Sequence, residues 1–107
     1  MVLQTGDMTL DTDHQLLYPG GRQTDPIRLT PMECRLLEAF MERPDQVISH
    51  AQLMKKVWQT DYVGDTRTLH VHICWLRRKI EADPSYPCRI VTHRSLGYEL
   101  KGAPDQT

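Results

Sequence analysis

The stretch T-R-T-L-H-V-H-I-C-W-L-R-R-K-I, from Thr66 to Ile80, constrains this chain more than any other segment. At about 100° per residue, Leu69, Ile73, Leu76 and Ile80 fall on one narrow stripe, so the spacing predicts an amphipathic helix with that stripe against a core. The opposite face carries Arg67, Thr68, Val71, Trp75 and Arg78. A helix face bathed only in water has no use for Val and Trp among its cations. A face pressed into a DNA major groove uses all of them. Cations meet phosphates, hydroxyls and rings meet base edges, and an apolar atom meets a thymine methyl. The competing reading, Trp75 in the core, places the ring far from the angle of the apolar stripe.

Net charge is −1 over 107 residues, which taken alone argues against nucleic acid. The distribution argues the other way. Residues 66–94 hold Arg67, Arg77, Arg78, Lys79, Arg89 and Arg94 against Glu81 and Asp83, a net of +4, and the remainder carries −5. A positive pole on an acidic body suits a protein that turns one face to phosphate, although chance clustering on a solvated surface gives the same count.

Short β-compatible runs fill the first thirty residues: Val2–Gln4, Met8–Asp11, Gln15–Tyr18 and Ile27–Leu29, separated by Gly6-Asp7, by 11–13 and by the Pro19-Gly20-Gly21 turn. They predict an antiparallel meander. Two helices then start with near-duplicate signals. Thr30 caps the first, with Pro31 at its first position and Glu33 completing a capping box; Ser49 caps the second, with Gln52 completing its box and Ile48 stapling onto Leu53. The first is expected to run to about Glu42, burying Cys34, Leu36, Leu37, Phe40 and Met41. The second is expected to run to about Trp58, burying Leu53, Met54 and Val57. Gln59–Gly64 reads as a polar turn, Asp65 or Thr66 opens the third helix, and Asp83-Pro84 ends it. Arg89–Thr92 and Tyr98–Leu100 then read as a hairpin turning over His93–Gly97.

The predicted fold is therefore α+β: a winged helix-turn-helix with an N-terminal four-stranded antiparallel sheet, three helices and a C-terminal β-hairpin wing. The expected organisation is one domain over 1–101, with 102–107 as a flexible tail. A chain of this length supports one modest core. No apolar run approaches a membrane span, and residues 1–30 lack the regions of a signal peptide, so the expected location is the cytoplasm and no membrane partner is expected.

Cys34, Cys74 and Cys88 are odd in number and match no zinc pattern, as expected of reduced thiols. His70 and Cys74 stand at i and i+4, a spacing able to hold a metal, but neither Cys88 nor His93 supplies a convincing second pair. No metal and no cofactor are expected. An inert thiol at Cys74 is the reading preferred over a redox switch. The chain shows no paired nucleophile and base, no glycine-rich phosphate loop and no metal motif, and is not read as an enzyme.

Four segments together resemble the OmpR/PhoB-type effector domain of bacterial response regulators: L-T-P-M-E-C-R-L-L at 29–37, V-I-S-H-A-Q-L-M-K-K-V-W at 47–58, R-T-L-H-V-H-I at 67–73 with L-R-R-K-I at 76–80, and S-L-G-Y at 95–98. The resemblance implies sequence-specific DNA binding that regulates transcription, as the output end of a two-component phosphorelay. The recognition helix, 66–81, would enter the major groove and the wing, 89–100, the minor groove. It implies direct-repeat half-sites on double-stranded DNA. It also implies contact with RNA polymerase through the loop Gln59, Thr60, Asp61, Tyr62, Val63 and Gly64.

Carried over residue by residue, the resemblance puts Arg67, Thr68, His72 and Arg77 on the DNA backbone, and His70, Val71 and Trp75 on bases. Arg78 and Lys79 add mainly long-range field. Arg94 matches a wing arginine inserted in the minor groove, where a narrow A·T-rich groove concentrates negative potential, and Thr92 and Tyr98 match wing residues that bond phosphate. The departures are His70 where an acid is common, Cys74 and Trp75 where cations are common, and Cys34 in place of a bulky aromatic. Trp75 cannot make arginine's bidentate guanine contact, so apolar contact and groove shape are expected to carry more of the reading. No receiver domain is present in the sequence, and an excised effector domain, monomeric by itself, is the expectation. The alternative function is a protein-docking module working through the Val71/Trp75 face.

Overall fold

The computed structural model describes residues 1–59 and 67–102. Chain order is β1 (Val2–Thr5), β2 (Met8–Asp11), β3 (Leu16–Tyr18), β4 (Ile27–Arg28), α1 (Pro31–Met41), β5 (Val47–Ile48), α2 (His50–Trp58), α3 (Arg67–Ile80), β6 (Ile90–His93) and β7 (Gly97–Leu100). The first four strands form an antiparallel meander in the order β1-β2-β3-β4. Gly6, at φ 59°, makes the β1–β2 turn tight, and a side chain there would strike the Gly102 carbonyl. Gly102 is itself held by its N–H, which donates to Asp45 Oδ1 at 2.9 Å.

Both capping boxes are present. Thr30 Oγ1 accepts from the Glu33 N–H while Glu33 Oε1 accepts from the Thr30 N–H, and Ser49 and Gln52 repeat the arrangement. Each box satisfies two backbone donors that a helix start otherwise leaves open. The core gathers Met8, Leu10 and Leu17 from the sheet, Leu36, Leu37 and Phe40 from α1, and Leu53 and Val57 from α2. The α3 stripe of Leu69, Ile73, Leu76 and Ile80 packs onto them as the spacing predicts. Met32, half-buried, packs against this core.

Two local features depart from the sequence reading. Val47 and Ile48 form a strand, β5, that pairs with β7 and makes the wing part of a three-stranded sheet in the order β5-β7-β6. The third helix also ends at Ile80, one residue short of the expected 81 and ahead of the Asp83-Pro84 stop. Its last helical bond is Glu81 N–H to Arg77 O at 2.9 Å, after which Asp83 Oδ1 accepts the Ser85 N–H and offers the backbone a turn instead.

Glu81, buried, then anchors the wing root: its carboxylate accepts the N–H groups of Cys88, Arg89 and Ile90 at 2.8 to 3.0 Å. Gly97 is needed because any side chain there would meet the Ile48 carbonyl of β5. The turn between β6 and β7 places Ser95 at φ 68° and closes with Leu96 N–H to His93 O at 2.9 Å.

Candidate nucleic-acid interface

Helix α3 buries one face and leaves the other open. Arg67, Thr68, His70, Val71, Cys74, Trp75 and Arg78 are exposed, with Val71 at 41% and Trp75 at 45%. Trp75 is therefore a surface ring. It is also a supported one: the His72 ring lies 5.1 Å from Trp75 and 5.2 Å from Trp58, centroid to centroid. His72 is fixed in turn, because its Nδ1–H donates to the Thr68 carbonyl at 2.8 Å. A chain of rings thus runs from the end of α2 to the open face of α3.

His70 leaves the helix on another side. Its Nδ1 is hydrogen-bonded to the Tyr98 hydroxyl, and the His50 ring lies 5.5 Å from both rings. Tyr98 is 2% exposed, so its hydroxyl faces α3 inside the domain. Burial pushes its phenol above the ordinary value, and the nearby Arg77 charge opposes that only in part. The hydroxyl keeps its proton at neutral pH.

Arg77 ties the helix to the wing. Its Nε and Nη2 donate to the Ile90 carbonyl at 3.1 and 2.7 Å, and Nη2 also donates to Thr92 Oγ1 at 2.8 Å. Its guanidinium lies 5.7 Å from the Tyr98 ring centroid. On the wing, Thr92 and Arg94 are exposed and Arg94 stands in the turn. His93 Nε2 pairs with Glu99 Oε1 at 2.7 Å, tying the two wing strands together beside their turn.

Counting charges along the sequence overstates the positive pole. Lys79 forms an ion pair with Glu33, and Arg89 donates to both carboxylate oxygens of Asp7 at 2.9 and 3.1 Å. Both anions lie outside the 66–94 segment, so only the fold reveals the pairing. Arg67, Arg78 and Arg94 are the exposed cations among the described residues of the segment. Glu81, counted as a stray anion, proves to be the wing anchor.

Gln59 closes α2 in the left-handed region, at φ 56°. The other residues expected to meet RNA polymerase, Thr60, Asp61, Tyr62, Val63 and Gly64, lie outside the described residues, as do the expected helix caps Asp65 and Thr66 and the tail beyond Gly102. Among the described residues there is no group of His, Cys, Asp or Glu able to hold a metal, and no helix long and apolar enough to cross a membrane.

Residues 23–100 match the family described as transcriptional regulatory protein, C terminal. The sensory transduction protein RegX3 of Mycobacterium tuberculosis is 45% identical over 101 residues, which span 94% of this chain and 43% of that protein. The alkaline phosphatase synthesis transcriptional regulatory protein SphR of Synechococcus elongatus is 51% identical over 74 residues, 69% of this chain and 29% of that protein. The chain thus spans less than half the length of these relatives. Among solved structures, the DNA-binding domain of Klebsiella pneumoniae RstA, in complex with the RstA box, superposes with a TM-score of 0.82 at 25% identity, covering 94% of this chain and 97% of that one. Sequence, sheet order and helix arrangement agree: the chain belongs to the OmpR/PhoB-type family of winged-helix response-regulator effector domains.

Proposed function

We propose that this chain is the DNA-binding output domain of a two-component response regulator and regulates transcription by recognising a specific sequence. The observation that carries the reading is the open face of α3, where Val71 and Trp75 stand exposed between Arg67, Thr68 and Arg78. In this reading α3 enters the major groove and the β6–β7 wing places Arg94 in the adjacent minor groove. The RstA domain, alike in fold, was crystallised in complex with the RstA box, which supports the assignment. Arg77, already bonded to the wing, meets phosphate with the part of its fork that the wing leaves open. Thr92 contacts the backbone beside it. Tyr98 acts mainly through His70.

The parent protein would carry a receiver domain ahead of β1. Two joined copies would take adjacent direct-repeat half-sites, gaining affinity through effective concentration rather than new contacts. Residues 59–64 would meet RNA polymerase. The test is binding to random duplex DNA over a salt series, with selection of the preferred sites. Counterion release gives a log–log slope of about −0.9 per phosphate contacted. A flat slope with no enriched sequence would reject DNA and leave protein docking through Val71 and Trp75.

A further inference from the structure

His70 stands on the α3 face where the family often has an acidic residue, and the structure fixes what this imidazole offers. Its Nδ1 meets the Tyr98 hydroxyl, and its ring is packed between Tyr98 and His50. A phenol is a far stronger acid than a neutral imidazole N–H, and the bare imidazole nitrogen is the better acceptor. The hydroxyl therefore donates, and Nδ1 accepts. Tyr98 is buried and retains the proton it donates. With Nδ1 filled as an acceptor, the ring's one hydrogen sits on Nε2. Covalent geometry turns Nε2 away from Tyr98, and the side chain is exposed. Protonating the ring would leave an N–H at the same place.

We propose that Tyr98 holds His70 in the Nε2–H tautomer and that this single donor reads a guanine in the major groove. The inference rests on the DNA-binding reading above and adds to it the base that one residue selects. Guanine presents two acceptors there, N7 and O6. Adenine sets a donor beside its N7, thymine sets a methyl beside O4, and cytosine offers only a donor. An acid at this position would choose the reverse, accepting from cytosine N4. Replacing an acid by a Tyr98-locked histidine thus inverts the polarity of one contact. Tyr98 is a positioning residue in this scheme, and His70 makes the contact.

Two measurements on the 107-residue chain test it. Long-range 15N–1H correlation spectra of the free protein are expected to show His70 protonated at Nε2 with Nδ1 bare, and Tyr98→Phe to turn that single tautomer into a mixture. Neutral His70 carrying its proton on Nδ1 would overturn the proposal. Selection from random duplex DNA is expected to enrich guanine at one half-site position, and His70→Asp to move that position to cytosine, each preference about tenfold. His70→Ala, which removes the ring and leaves the Tyr98 hydroxyl without that partner, is expected to erase the preference there. If the half-site is enriched but no position changes in either variant, the guanine assignment is wrong while DNA recognition stands. If no sequence is enriched and binding ignores salt, the DNA reading fails and carries this one with it.

Discussion

Lys79 Nζ lies 2.5 Å from Glu33 Oε1, joining the last turn of α3 to the first turn of α1. The same carboxylate oxygen accepts the Thr30 N–H at 2.8 Å, so one buried group closes a capping box and clamps α3. Burial alone would push the Glu33 carboxyl up. The bonds from Lys79 and Thr30 outweigh it and hold the group below its ordinary value. A carboxylate whose folded value is depressed stabilises the fold fully above its unfolded value of about 4.3, and that contribution is lost as pH falls through the folded value. Glu33→Gln is therefore expected to cost about 1–3 kcal/mol at pH 7, with the gap to the parent chain closing below about pH 4. Urea unfolding of both proteins at pH 7 and pH 3 reads this directly. A gap of equal size at both would show that the charge contributes nothing.

Arg77→Met keeps the aliphatic stem and removes the fork that donates to Ile90 O and Thr92 Oγ1. It is expected to cost about 1–3 kcal/mol of stability, since the Ile90 carbonyl loses its charged donor. Hydrogen exchange should quicken at wing amides more than in the β1–β4 sheet. Uniform quickening would mean that Arg77 supports the whole core instead.

Trp75→Ala removes a ring that is 45% exposed. Stability is expected to shift by less than about 1 kcal/mol, while base preference changes by about 1–3 kcal/mol at one or two base pairs. Unchanged preference together with a large fall in melting temperature would return Trp75 to the core.

Arg94→Ala acts on an exposed turn of the wing. Affinity should fall most on half-sites flanked by A·T-rich DNA, where the narrow minor groove concentrates negative potential. An equal loss on every flank would reduce Arg94 to an ordinary phosphate contact.

Thiol labelling of the native chain should find Cys74 and Cys88 quickly and spare Cys34. Burial, assisted by the Glu38 and Asp11 charges, pushes the Cys34 thiol up, so little reactive thiolate is present near neutral pH. Cys34 should react only once denaturant opens the core. Three equally fast thiols would contradict the packing of α1.

Features set by neighbours in sequence were legible before the fold. The α3 stripe, both capping boxes and the four meander strands rest on spacings of a few residues, and each stands where the spacing places it. The exposure of Trp75 followed from its helical angle alone. What escaped depends on distant partners. Val47 and Ile48 are too short a run to show a period, and become a strand only because Glu99 and Tyr98 lie beside them. Lys79 and Arg89 looked like free field until Glu33 and Asp7 met them. Gly97 suits a position of positive φ by sequence and has one, at 153°. Nothing local signalled the close approach of β5 that also demands glycine there, nor that Ser95 would take the left-handed place in the turn. Glu81 gave no local signal, because its three N–H donors come from residues seven to nine positions further on.

The pairing of β7 with β5 has a mechanical consequence. Ile48, bonded in register to Tyr98, immediately precedes the cap of α2, so the hairpin is welded to the helix pair through backbone. A load applied at the Arg94 tip passes into the root of α2 instead of bending a free arm. Helix and wing then behave as a caliper with a fixed gap. On a duplex whose grooves do not match that gap, the protein would hold its shape and the DNA would bear the distortion.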